Sequence, residues 1–270
     1  MNFLNYFLPF LYLSTFAVYL IDFIKGEKKL INSKRIFLFV TLLLHSMYLL
    51  LRTIHLNHPP ITNVFEILTI LAFSLGLSYF VLELLTDIRG TGPFILVFAL
   101  IFQVISSLFI REMVQVPEVL RNRMLGLHVF SGLIGYSAIT MSAVYGSLFY
   151  VMYKEIKLNR FGLIFERLPS LELLEKLSYY ASVIGFVMLT SAIIIGMIWL
   201  PGAFPDFTYF DPKLIATLLI WMLYGAGIIS KSVAGWQGKK VVFFSILGFF
   251  ITLISVLAAN FLPYSFHTFY

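Results

Sequence analysis

Of the chain's 270 residues, 60% are hydrophobic and only 12% charged, and the mean hydropathy is +0.94. Soluble domains carry about 25% charged residues, so this composition is that of a polytopic membrane protein. The absence of cysteine excludes disulfides, thiolate metal sites and cysteine-based cofactor attachment. A formal charge of +6 and a pI near 9.4 do not imply a nucleic-acid partner, because the basic residues sit in short connections between apolar runs.

The first apolar stretch, LNYFLPFLYLSTFAVYLI, has no basic region before it and no small-residue cleavage site after it, so it reads as a retained span. Seven more runs of the length needed to cross about 30 Å of hydrocarbon follow at 36–53, 64–84, 93–110, 125–152, 179–200, 214–231 and 240–260. No nucleotide-binding glycine loop, internal repeat or separate soluble domain interrupts them. The expectation is an all-α, polytopic helical bundle of about eight transmembrane helices, forming one integral membrane domain over 1–270.

Fourteen of the nineteen Lys and Arg residues fall in the loops 23–35, 85–92, 153–178 and 231–240. Cytoplasmic loops collect these residues, so both termini are expected outside, in a multi-pass protein of the cell's inner (cytoplasmic) membrane. In loop 153–178, Pro169 and Ser170 offer a helix start and Leu171, Leu174 and Leu177 recur at helical spacing. A short amphipathic helix is expected to lead into the sixth span, either lying on the lipid interface or docking a partner through Leu171 and Leu174.

The histidines carry the possible chemistry. His45 lies inside the second span with Leu42, Leu49 and Arg52 on its helix, and reads as a helix-to-helix hydrogen-bonding residue. His55 and His58 read as loop residues. His128 opens the fifth span and His267 follows the eighth, both at the outer level. A zinc site would need a third ligand, and there is no HExxH helix; a serine nucleophile would need a turn such as GxSxG, which is absent. The chain therefore does not read as an enzyme.

Heme suits these surroundings. Two imidazoles can approach an iron from opposite faces, the macrocycle takes flat apolar walls, and propionates take cations. Trp199, Phe204, Phe207, Tyr209 and Phe210 offer walls, while Arg52, Arg121, Arg123 and Lys213 lie on the same side. Aromatic residues also gather at membrane interfaces with no ligand, and that reading stays open. Asp211 followed by Pro212 is a helix start, which favours a capping role for Asp211 over chemistry. Glu66 begins the third span, where the helix dipole favours it, and Gly185 and Gly196 allow close helix packing.

These residues resemble the cytochrome c assembly superfamily, with its CcmC, CcsA and HemX-type branches. In GMIWLPGAFPDFTYFDPKLIATLLIW the landmarks Gly196, Trp199, Asp211, Pro212, Lys213 and Trp221 match the family's tryptophan-rich outer segment. The stretches LHVFSGLIGYSA and SFHTFY resemble its two flanking histidine motifs, HPPITNVFE its outer loop, and RLPSLELLEKLSYYASVIGF its inner helix. The resemblance implies heme bound, stably or in transit, between the axial ligands His128 and His267, with Trp199, Phe204, Phe207, Tyr209, Phe210, Asp211 and Lys213 around it.

The departures also inform. Phe204, Thr208 and Phe210 stand where the family has tryptophan, Leu214 replaces a glutamate, and the late histidine of the seventh span is missing from YGAGIISKS. With GWQGKK and the terminal FHxxY, they resemble the HemX branch. That branch implies a negative regulator of heme biosynthesis acting on the level of glutamyl-tRNA reductase; the alternative is a heme delivery or export subunit working with a CcsB-like partner.

The basic-residue asymmetry yields a test. In single-cysteine variants of the intact membrane, an impermeant thiol reagent added outside is expected to label position 206 and to spare positions 30 and 160; the reverse pattern overturns the orientation.

Overall fold

The structure is a computed structural model that describes residues 2–26, 30–88, 90–110, 122–203 and 208–261, without the side chains of 2, 30–32 and 256–261. The described chain is all helical: α1 (Asn2–Lys25), α2 (Leu30–Leu56), α3 (Val64–Thr86), α4 (Gly92–Phe109), α5 (Arg123–Lys157), α6 (Leu163–Arg167), α7 (Leu171–Ala203), α8 (Pro212–Ser232) and α9 (Lys239–Phe261). Seven helices, α1 to α5, α7 and α8, are long and apolar enough to cross a membrane. The eighth expected span, 240–260, is α9, whose side chains are described only as far as Ser255. The protein is a multi-pass membrane protein.

The chain forms two compact units, Met1–Val116 with Val151–Ser170, and Pro117–Tyr150 with Leu171–Tyr270. In the first unit α1 packs on α2 and α4, and α3 packs on α2 and α4, so four helices close a ring. Polar side chains join them. Thr69 gives its hydroxyl hydrogen to Gln103 Oε1 at 2.8 Å, so His45 Nε2–H must donate to Thr69 Oγ1 at 3.0 Å and His45 Nδ1 must accept from the Tyr12 hydroxyl at 2.9 Å. Gln103 Nε2 then donates to Ser107 Oγ at 2.9 Å, and Ser107 donates to the Asn5 carbonyl at 2.8 Å. Both nitrogens of the fully buried His45 are used by other helices, as its position in the second span suggested.

Charges close the unit at its ends. Arg52 donates through Nε at 3.0 Å and Nη2 at 2.7 Å to Glu66 Oε1, while Glu66 Oε2 accepts from the Thr62 amide and hydroxyl. Asn63 caps α3 by accepting from the Glu66 amide at 2.9 Å. Glu66 therefore does more than meet the helix dipole: it pins the loop before α3 to α2. At the other end Lys34 pairs with Asp22 at 2.8 Å and Glu83 at 3.3 Å, and Tyr19 donates to Glu83 at 2.5 Å. Arg167 donates to the Lys25 carbonyl at 3.2 Å. A Cβ on Gly90, whose φ is +85°, would lie 2.1 Å from the Arg167 carbonyl oxygen, so only glycine fits there.

In the second unit α7, α8 and α9 pack on one another. Ser142 of α5 donates to the Ser178 carbonyl of α7 at 2.7 Å, Ser178 donates to Ser245 of α9 at 3.1 Å, and Tyr224 of α8 donates to the Ser245 carbonyl at 3.1 Å. These hydroxyls replace water as partners in a dry interior. The expected short amphipathic helix is not a separate element. No proline interrupts 171–200, so the segment continues into the sixth span as one 33-residue helix, about 50 Å long at 1.5 Å per residue.

Arg52 is 4% exposed and Glu66 fully buried. Arg52→Leu leaves the carboxylate without its cation, and the cost expected is about 3 to 5 kcal/mol, read as a large fall in the thermal unfolding midpoint in detergent. A midpoint equal to wild type contradicts the pairing.

Candidate functional site

The site is assembled in the second unit around His128, one turn into α5. Its Nδ1 lies 2.8 Å from the carbonyl oxygen of Ala192 on α7. A carbonyl can only accept, so Nδ1 carries the hydrogen and Nε2 keeps its lone pair. This is the arrangement that metal-bound histidines usually have, one nitrogen held by a backbone carbonyl and the other basic. Gly196, one turn beyond Ala192, lies under the ring: a Cβ there would be 3.0 Å from His128 Cε1 and 3.1 Å from Nδ1.

The start of α8 adds a positive charge. Lys213 is part-buried and close enough to His128 to interact with it electrostatically. Its position is set by Asp211, which is fully buried and whose Oδ1 accepts from the Lys213 amide at 2.8 Å and the Leu214 amide at 3.3 Å, with Pro212 at the first helical position. Asp211 is thus the cap that its sequence position suggested. Further along α8, Thr217 donates to the Lys213 carbonyl at 2.8 Å and lies near Tyr136 of α5. Trp221 donates to Thr190 at 2.7 Å and stacks on Phe186, ring centroids 5.1 Å apart at 19°, tying α8 to α7.

Of the expected walls, Trp199 lies half-buried near the end of α7, while Tyr209 and Phe210 are 55% and 84% exposed. Arg123 is exposed at the start of α5. His267, Phe204, Phe207 and Arg121 lie outside the described residues. Among the described residues no three His, Asp or Glu side chains come together as ligands for a metal ion.

Arg52, expected as a propionate contact, lies in the first unit, where its Nε and Nη2 both donate to Glu66. One expectation is corrected. Leu174 is fully buried and Leu171 only half-exposed, so the pair does not present an apolar docking face: the apolar stripe that suggested docking is the helix's core side. His55 is exposed in the last turn of α2, and His58 is buried, its Nδ1–H donating to the Pro59 carbonyl at 2.7 Å.

A membrane protein with a positioned imidazole beside a capped, lysine-bearing helix start is the class that these features define. The chain belongs to the cytochrome c assembly protein family, whose model matches residues 61–267. It is similar to the cytochrome c biogenesis protein CcsA of Heterosigma akashiwo, at 27% identity over 258 residues covering 82% of this chain and 80% of the relative. The CcsA proteins of Prochlorococcus marinus (26%, covering 90% and 85%) and Mesostigma viride (25%, covering 95% and 94%) are similar along nearly their whole length.

Capping separates cleanly from charge at Asp211. Asp211→Ala is expected to cost about 1 kcal/mol and Asp211→Asn much less, because the amide oxygen still accepts from the α8 backbone. Equal losses in the two variants, measured as unfolding midpoints, overturn the capping role.

Proposed function

We propose that the chain handles heme at the outer end of its second unit and delivers it for cytochrome c maturation. The observation that carries this reading is the orientation of His128, whose Nδ1–H is fixed on the Ala192 carbonyl and whose Nε2 lone pair is left for a metal. The CcsA names of the relatives support it. The HemX-type reading expected first, a regulator acting on glutamyl-tRNA reductase, draws no such support, and the buried Leu174 does not favour the docking surface it called for.

Heme is cargo in this reading, and its iron takes one imidazole on each face. His128 is one ligand, and His267, in the stretch resembling the family's second histidine motif, is the other. Lys213 and Arg123, with Arg121, are the cations that balance the propionates. Trp199, Tyr209 and Phe210, with Phe204 and Phe207, supply the flat apolar contacts. Asp211 fixes the start of α8 and through it Lys213. In this reading both termini lie outside, the site faces the outer side of the inner membrane, and a CcsB-like subunit is the partner expected. The family match crosses both units, which supports treating 1–270 as one functional domain.

Hemin titration of the purified protein, followed by visible absorption, tests the reading. His128→Ala and His267→Ala are each expected to weaken binding at least tenfold, whereas His45→Ala, which removes a side chain tied to Tyr12 and Thr69, changes it less. Hemin spectra unchanged in the His128→Ala, His267→Ala double variant contradict it.

A further inference from the structure

Resting on the proposal that His128 takes a metal, we infer that Gly196 and the Ala192 carbonyl are its positioning elements, and that glycine is needed at 196 to uncover that carbonyl. In an α-helix the carbonyl of residue i accepts from the amide of residue i+4, so within α7 the Ala192 oxygen already belongs to the ladder that includes Gly196. Its second lone pair points sideways. The side chain at i+4 leans back toward the N-terminus, over this oxygen. With no Cβ at 196 the oxygen is open, and the His128 Nδ1–H reaches it at 2.8 Å.

The ring fills the place that a side chain would take. A methyl at 196 meets His128 Cε1 at 3.0 Å and Nδ1 at 3.1 Å, and also Leu200 Cδ1 at 3.3 Å. The contact falls on the half of the ring that makes the hydrogen bond. Gly196 therefore selects a tautomer as well as a rotamer. While Nδ1 donates to Ala192, the neutral imidazole has its lone pair on Nε2; a side chain at 196 pushes the ring by a few tenths of an ångström or more, which weakens that hydrogen bond and lets the two tautomers compete.

The test reads the tautomer in the protein without heme. The full-length protein is labelled with ¹⁵N-histidine in nanodiscs, and the His128 signals are identified by their loss in His128→Ala. In the wild type they are expected to show protonated Nδ1 and unprotonated Nε2. Gly196→Ala is expected to shift the population toward a mixture, and Gly196→Val further. The ¹⁵N-tryptophan signal of the Trp221 indole, held by Thr190, reports that α7 and α8 remain packed in each variant. Hemin affinity is expected to fall in the same order, about threefold and then tenfold or more, with partial recovery on adding free imidazole. A wild-type His128 protonated on Nε2, or a Gly196→Val protein that keeps the Trp221 signal and the wild-type tautomer, overturns the inference. A wild type with the expected tautomer that binds no hemin leaves the positioning in place and defeats the heme reading instead.

Discussion

Hydrocarbon offers no hydrogen bonds, and this constraint shapes both units. Each transmembrane helix satisfies its own backbone, so specificity between helices falls to the few polar side chains they carry and to places where small residues allow close approach. In the first unit a one-directional chain from Tyr12 through His45, Thr69, Gln103 and Ser107 to Asn5 links α1 to α4. In the second, Ser142, Ser178 and Ser245 meet between α5, α7 and α9.

The His128 contact obeys the same rule. A helix carbonyl facing apolar surroundings keeps a spare lone pair, and an imidazole on a neighbouring helix takes it. The consequence is chemical as well as structural, because the hydrogen placed on one ring nitrogen decides which nitrogen can hold a metal. His45 illustrates the opposite outcome: with Tyr12 on one nitrogen and Thr69 on the other, it has become part of the scaffold. His45 is thereby committed to helix packing, whereas in the proposed reading His128 keeps its Nε2 for iron.

Much of this was legible in the sequence. Hydropathy located the helices, since a span of about 20 apolar residues has few alternatives, and the Asp211-Pro212 step announced its own cap. Glu66 was read through its helix start alone, because nothing in the local pattern reveals that Arg52, fourteen residues earlier, would meet it across a helix pair. The Leu171 and Leu174 stripe misled for a related reason: amphipathic spacing shows that a face is apolar and leaves open what covers it. Ala192 carried no signal, since its contribution is a backbone oxygen. Gly196 was visible as a small residue suited to close packing; that the group packed against it is an imidazole required the fold.

The central claim, that two imidazoles of this chain hold one iron, is tested most directly by low-temperature electron paramagnetic resonance of the ferric heme-loaded protein. The account predicts a low-spin signal in the wild type that turns high-spin in both His128→Ala and His267→Ala. A high-spin wild type, or a low-spin signal that survives either substitution, contradicts it.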